Sequence, residues 1–139
     1  MNIEHIAFNV ADPVAMARWY TTHLGMRAIR SLPDPPHTRF LADSSGRVVI
    51  EIYHQTRAPV PDYYVMDPLV FHVAFATPDM SGTRERLLAA GATSAGEVAT
   101  TPAGDELAML RDPWGIPIQL VRRSRPLIEL EPKEDINSW

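Results

Sequence analysis

A short phrase occurs twice in this chain. Near the N-terminus it reads HIAFNVADP and later FHVAFATPD, so that His5, Ala7, Phe8 and Asp12 return as His72, Ala74, Phe75 and Asp79. Gly25 and Glu51 have counterparts in Gly91 and Gln119 at nearly the same spacing. A period of about 67 residues is too long for a solenoid repeat and suits two copies of one small module. With 139 residues, 45% of them hydrophobic and 22% charged, the chain can build one ordinary core and not two. The two modules must therefore share a core or a sheet.

Within the first copy, residues 2–10 alternate, with Ile6, Phe8 and Val10 on one face and His5, Ala7 and Asn9 on the other, which predicts a half-buried strand. Asp12 is placed to cap a helix that opens on Pro13, carries Met16, Ala17, Tyr20 and Leu24 at helical spacing and stops at Gly25. Short strands follow at 26–32 and 38–43, and a third, RVVIEIYH, carries Glu51. Residues 55–68 hold three prolines without periodicity and read as a linker. The pattern then restarts: a strand at 70–76, a helix after Pro78-Asp79, a weak strand near 93–98, a clearer one at 106–111, the turn DPWG, and IPIQLVRR carrying Gln119. The expected organisation is one domain over 1–139, with a βαβββ module at 1–54, the linker at 55–68, a second βαβββ module at 69–123 and a tail at 124–139 that forms an arm or short helix.

Charge and composition remove several function classes. A formal net charge of −4 offers no cationic field for nucleic acid or an anionic membrane. There is no cysteine, which excludes disulfides, thiolate nucleophiles and thiolate metal sites. No apolar run has the length of a membrane span and the N-terminus lacks the form of a signal peptide, so a cytoplasmic protein is expected. Arg122, Arg123 and Arg125 are expected to be screened by the acidic tail, and Trp19 and Tyr20 to serve the core or an interface.

Side-chain parity carries the chemistry. His5 opposes Ile6 and Phe8; Glu51 opposes Ile50 and Ile52; His72 opposes Phe71 and Val73; Gln119 opposes Ile118 and Leu120. A lone histidine on an apolar strand is more often a hydrogen-bonded structural residue than a ligand. Four N and O donors at equivalent places of a repeat, all turned from the apolar face, are hard to produce by packing alone. They suit a divalent first-row metal, with room left for water or substrate.

The paired modules, HIAFNVADP followed by WYTTHLGM, FHVAFATPD, and above all RDPWGIPIQLV resemble the vicinal oxygen chelate superfamily of glyoxalases, bleomycin-resistance proteins, extradiol dioxygenases and fosfomycin-resistance enzymes. The resemblance runs from about residue 2 to residue 123. It implies an α+β fold in which two tandem βαβββ modules form a cupped mixed sheet with helices on its outer face. It also implies a divalent metal (Zn, Ni, Mn, Co or Fe) held by His5, Glu51, His72 and Gln119. Dioxygenases and fosfomycin-resistance enzymes of the family place a glutamate on the last strand, where this chain has Gln119; the set is nearer that of glyoxalase I.

The expected function is accordingly a glyoxalase-like lyase or isomerase. A metal would polarise a small oxygen-chelating substrate and stabilise an enediolate while Glu51, the one carboxylate of the set, moves the proton. The alternatives are a bleomycin-resistance type protein that binds a drug or other small molecule without chemistry and, below that, an extradiol-type dioxygenase. Tyr53 shares the parity of Glu51, and Arg39, with His37 and His54, is placed near the rim. Tyr53 and Arg39 are the candidate substrate-binding residues, against plainer readings as packing and surface charge. The expected partners are a small-molecule substrate and a second copy in a homodimer, the latter suggested also by Tyr63, Tyr64 and Trp139 as exposed aromatic candidates; neither nucleic acid nor a membrane is expected.

Overall fold

The computed structural model describes residues 1–129. The first module comprises β1 (Ile6–Asn9), α1 (Pro13–His23), β2 (Arg27–Ser31), β3 (Arg39–Ala42) and β4 (Val49–Tyr53). The second comprises β5 (Val73–Ala76), α2 (Met80–Ala89), β6 (Thr93–Ser94), β7 (Ala99–Thr100), β8 (Glu106–Arg111) and β9 (Pro117–Arg122). Both helices begin as the repeat predicts. The Asp12 carboxylate accepts from the Ala15 N–H at 2.9 Å and that of Asp79 from the Gly82 N–H at 3.0 Å, each satisfying a donor that the first helical turn leaves free. The weak strand near 93–98 is two short pieces, β6 and β7, separated by Gly96 at φ +140°.

Strand order is β1-β4-β3-β2 in one sheet and β5-β9-β8-β6 in the other, with β7 also on β8. In each, the first and last strands of the module run parallel and the remaining pairs antiparallel. Among the described residues no strand of one module pairs with a strand of the other, so β1 and β5 are both edge strands.

The modules are joined by a common core. Phe8, Leu41, Ile50 and Ile52 of the first sheet, Ala108, Leu110, Ile118 and Leu120 of the second, Met16 and Tyr20 of α1 and Leu87 of α2 are all buried in one cluster. The helices thus cover the apolar sheet faces, as parity requires. The Tyr20 hydroxyl crosses between modules and donates to Asp112 Oδ2 at 2.7 Å, and the Trp19 indole N–H donates to the Ala90 carbonyl at 2.9 Å. Asp112, the first residue of DPWG, accepts from the Trp114 and Ile116 N–H groups at 2.9 Å each through Oδ1. Its burial pushes its carboxyl up to about 6, against the lowering effect of those hydrogen bonds.

The linker is bound at both ends. The Asn9 side chain donates to the carbonyls of Gln55 at 3.0 Å and Ala58 at 3.1 Å and accepts from the Gln55 N–H at 2.8 Å. Arg111 donates to the carbonyls of Tyr63 at 2.7 Å and Met66 at 2.8 Å. Tyr63 is buried rather than exposed, because its hydroxyl donates to the Asn9 carbonyl at the end of β1 at 2.8 Å; Tyr64 stays half exposed. Among the described residues Arg122 and Arg123 pair with Glu106 and Asp105 at the neighbouring β8, the latter at 2.9 Å, while Arg125 meets Glu129 at 3.1 Å. The rest of the expected tail, with Trp139, lies outside the described residues.

Candidate functional site: donor pairs on two sheets

The face of the first sheet turned from the core is set by register. Ala7 lies opposite Glu51, Glu51 opposite Phe40, and Asn9 opposite Tyr53, so Glu51, Phe40 and Tyr53 share one surface. His5, immediately before β1, has the same parity. Its Nε2 is 3.0 Å from Glu51 Oε2, its Nδ1 is hydrogen-bonded to the Glu4 carboxylate, and its ring meets that of Phe40 edge-on at 5.9 Å. The hydrogen bond to Glu4, with the negative charges of Glu4 and Glu51, raises the affinity of the imidazole for a proton against the lowering effect of desolvation.

The second sheet repeats the arrangement with different partners. Ala74 lies opposite Gln119, and Gln119 opposite Met109. His72, immediately before β5, is exposed and shares their parity. Its Nδ1 lies 2.8 Å from the Pro68 carbonyl, an acceptor only, so Nδ1 carries a hydrogen and donates to it. A ring nitrogen pinned to a backbone carbonyl is the usual support of a metal-binding imidazole.

His5 and Glu51 are thus brought together, and His72 and Gln119 share one face, but the two pairs lie in separate sheets. Among the described residues no three His, Cys, Asp or Glu side chains are grouped closely enough to hold one metal ion. Tyr53 is on the donor face, half-buried. Arg39 is not: it pairs with Ile52 on the opposite face, and its guanidinium donates to the carbonyls of Leu32 at 2.8 Å, His37 at 3.0 Å and Thr38 at 3.1 Å. Phe40 occupies the place expected of it. With Arg39, Phe40 and Leu41 in succession, alternation alone did not say which face was which. Arg30 reaches the donor face, opposite Phe40, through an irregularity in β2 that no residue type announces.

A family model described as Glyoxalase/Bleomycin resistance protein/Dioxygenase superfamily matches residues 2–120. The chain belongs to this superfamily. A superfamily member from Sphaerobacter thermophilus, 17% identical, superposes with a TM-score of 0.70 over 88% of this chain and 98% of its own. The E144Q mutant of glyoxalase I from Zea mays, 23% identical, gives 0.68 over 87% of this chain and 45% of the maize chain. TnmS3, an antibiotic binding protein from Streptomyces, 19% identical, gives 0.64 over 89% and 99%. At such identities the likeness is one of fold. No curated protein matches the sequence.

Superfamily members commonly use a divalent metal. The His5–Glu51 pair has the donor types and, at 3.0 Å, the spacing of two ligands about 2.1 Å from one ion at a right angle, but among the described residues no third ligand stands with it, so an ion there would need donors from another face. Among the described residues no helix is long and apolar enough to cross a membrane.

Proposed function

We propose that this chain is a glyoxalase-like, metal-dependent lyase or isomerase that works as a homodimer, with His5 and Glu51 of one copy completing a site with His72 and Gln119 of the other. The observation that carries the reading is the His5–Glu51 pair held 3.0 Å apart on an otherwise open sheet face. Pairing between copies is supported by the two edge strands β1 and β5, whose outer backbone groups have no ladder partner among the described residues, and by the exposed Ile6, Leu69 and Val70 beside them. A two-fold axis that lays β1 against β5 builds two equivalent sites at once.

When bound, a divalent ion supplies the charge that orients two vicinal substrate oxygens and acidifies the C–H beside the carbonyl. Glu51 takes that proton and returns it to the neighbouring carbon. Gln119 cannot titrate and serves only as an oxygen donor. The test uses protein purified without affinity-tag metal. Near one metal per chain is expected, together with solvent deuterium entering a 2-oxoaldehyde hemithioacetal during turnover. Glu51→Gln should keep most of the metal and lose about 10²- to 10⁴-fold in turnover and exchange. A metal-loaded Glu51→Gln protein with full exchange would refute the role of Glu51.

The second reading is capture of a small molecule without chemistry. It is favoured by a hollow of about 530 Å³ bounded by Ala74, Ala76 and Val121, which share the face of Gln119, and by Pro126, Leu127 and Ile128, and by the likeness to TnmS3. Tight binding of an apolar ligand with no proton exchange would select it.

A further inference from the structure

A bulge in β2 turns a cation onto the donor face. The antiparallel register of β2 and β3 runs Ala28 opposite Leu41 and then Arg30 opposite Phe40, passing over Ile29. Unbroken pairing would set Ile29 against Phe40 and send Arg30 to the helix side of the sheet. With the extra residue, Arg30 joins Phe40, Glu51 and Ala7 on one surface. Its guanidinium lies over the Phe40 ring, 5.7 Å from the centroid, while the His5 imidazole meets the same ring from 5.9 Å. Arg30, Phe40 and His5, with Glu4, Ile29 and Val49, line a hollow of about 310 Å³. Arg122, Arg123 and Arg125 each pair with a carboxylate, but Arg30 makes no ion pair with any described residue.

We propose that Arg30 is a substrate-binding residue, and that the molecules this face accepts carry two vicinal oxygens at one end and a carboxylate at the other, joined by a flat apolar spacer that lies along Phe40. The assignment rests on the metal-site reading above, which places the vicinal oxygens beside His5 and Glu51. A guanidinium fork matches a carboxylate with two parallel hydrogen bonds, and the aromatic face beneath it holds the fork in orientation. A dianionic phosphate fits less well, because Arg30 is the one guanidinium of the hollow and the Glu4 carboxylate lines it too.

Two probes test this on the zinc-loaded dimer by calorimetric titration: benzohydroxamic acid, which chelates through two adjacent oxygens, and its 4-carboxy derivative. The wild-type protein should bind the carboxylated probe about tenfold or more tightly than the parent, the range of a hydrogen bond to a charged group. Arg30→Gln should erase that ratio. Arg30→Lys should keep part of the preference, since the charge remains without the fork. Equal ratios in wild type and Arg30→Gln overturn the assignment of Arg30 and leave the metal site standing. Undiminished binding of both probes in His5→Ala, or failure of both to bind the wild-type holoprotein, overturns the metal-site reading and this assignment with it.

Discussion

If each site takes one donor pair from each copy, two inactive variants should repair one another. His5→Ala homodimers lack an imidazole in both sites, and so do His72→Ala homodimers, because every site needs one residue of each kind. Even residues that merely support metal ligands cost about 10- to 100-fold in metal affinity when removed, so loss of a ligand itself should empty both variants at micromolar metal. Equal amounts unfolded together in denaturant with chelator and then refolded give about one half mixed dimers, and in each of these one site carries both lesions and the other neither. About one quarter of all sites should therefore regain full affinity, read as metal retained after gel filtration. The separation of the pairs into two sheets is what makes the quarter possible: His5 with Glu51 follows one copy and His72 with Gln119 the other. A mixture that retains no more metal than the two variants kept apart, in a protein that is dimeric by light scattering, would refute the division of the site between copies. A monomer mass with one metal per chain would refute it as well.

Two further predictions concern the frame. Asp112 carries a carboxyl raised to about 6 from an ordinary 3.8, so its contribution to stability is full below about pH 4 and is lost as pH rises through 6; the shift of about two pH units corresponds to about 3 kcal/mol. Asp112→Asn cannot ionise, keeps an oxygen for the Trp114 and Ile116 N–H groups and can donate to the Tyr20 hydroxyl, so urea unfolding should show the variant gaining on wild type between pH 4 and 7, and a constant difference would disprove the raised carboxyl. Gly115→Ala should destabilise more than Gly46→Ala, because both have positive φ, at +90° and +71°, but an added Cβ meets the Tyr64 ring and backbone at 2.7 Å only at Gly115; about 1 kcal/mol is expected at Gly46 and more at Gly115, and equal losses in urea unfolding would count against that contact.

The duplicated module and its donor parity were legible because both rest on local rules. Asp12 and Asp79 cap the helices for the reason any aspartate does at that place, and alternation of apolar residues fixes which side of β1, β4, β5 and β9 meets the core. The same rule failed where a strand was apolar on both faces. In β3 it could not decide between Phe40 and Arg39, and the guanidinium of Arg39 serves the carbonyls of the preceding loop. Arg30 was hidden for a different reason: the bulge in β2 arises from pairing against β3, a non-local event. Tyr63 also defied composition. A proline-rich stretch reads as surface linker, yet its tyrosine is drawn inward by the free carbonyl at the end of β1.

Duplication also explains why the donors come in pairs rather than as one cluster. A single module can present two side chains from its parallel first and last strands on one face, because those strands are neighbours in the sheet. It cannot present four without crowding the adjacent β-strand, where Phe40 and Met109 stand. Completing a shell of four therefore requires two such faces to meet. Within this chain the apolar sides of the two modules face a shared core, which turns their donor faces outward. On the proposed pairing a second copy supplies the missing half, and metal and partner become linked ligands: an ion held by both copies binds the dimer better than the separated chains and stabilises association by the same free energy. A chain that exposes the edges of β1 and β5 then gains from the metal twice, once in chemistry and once in closing those edges.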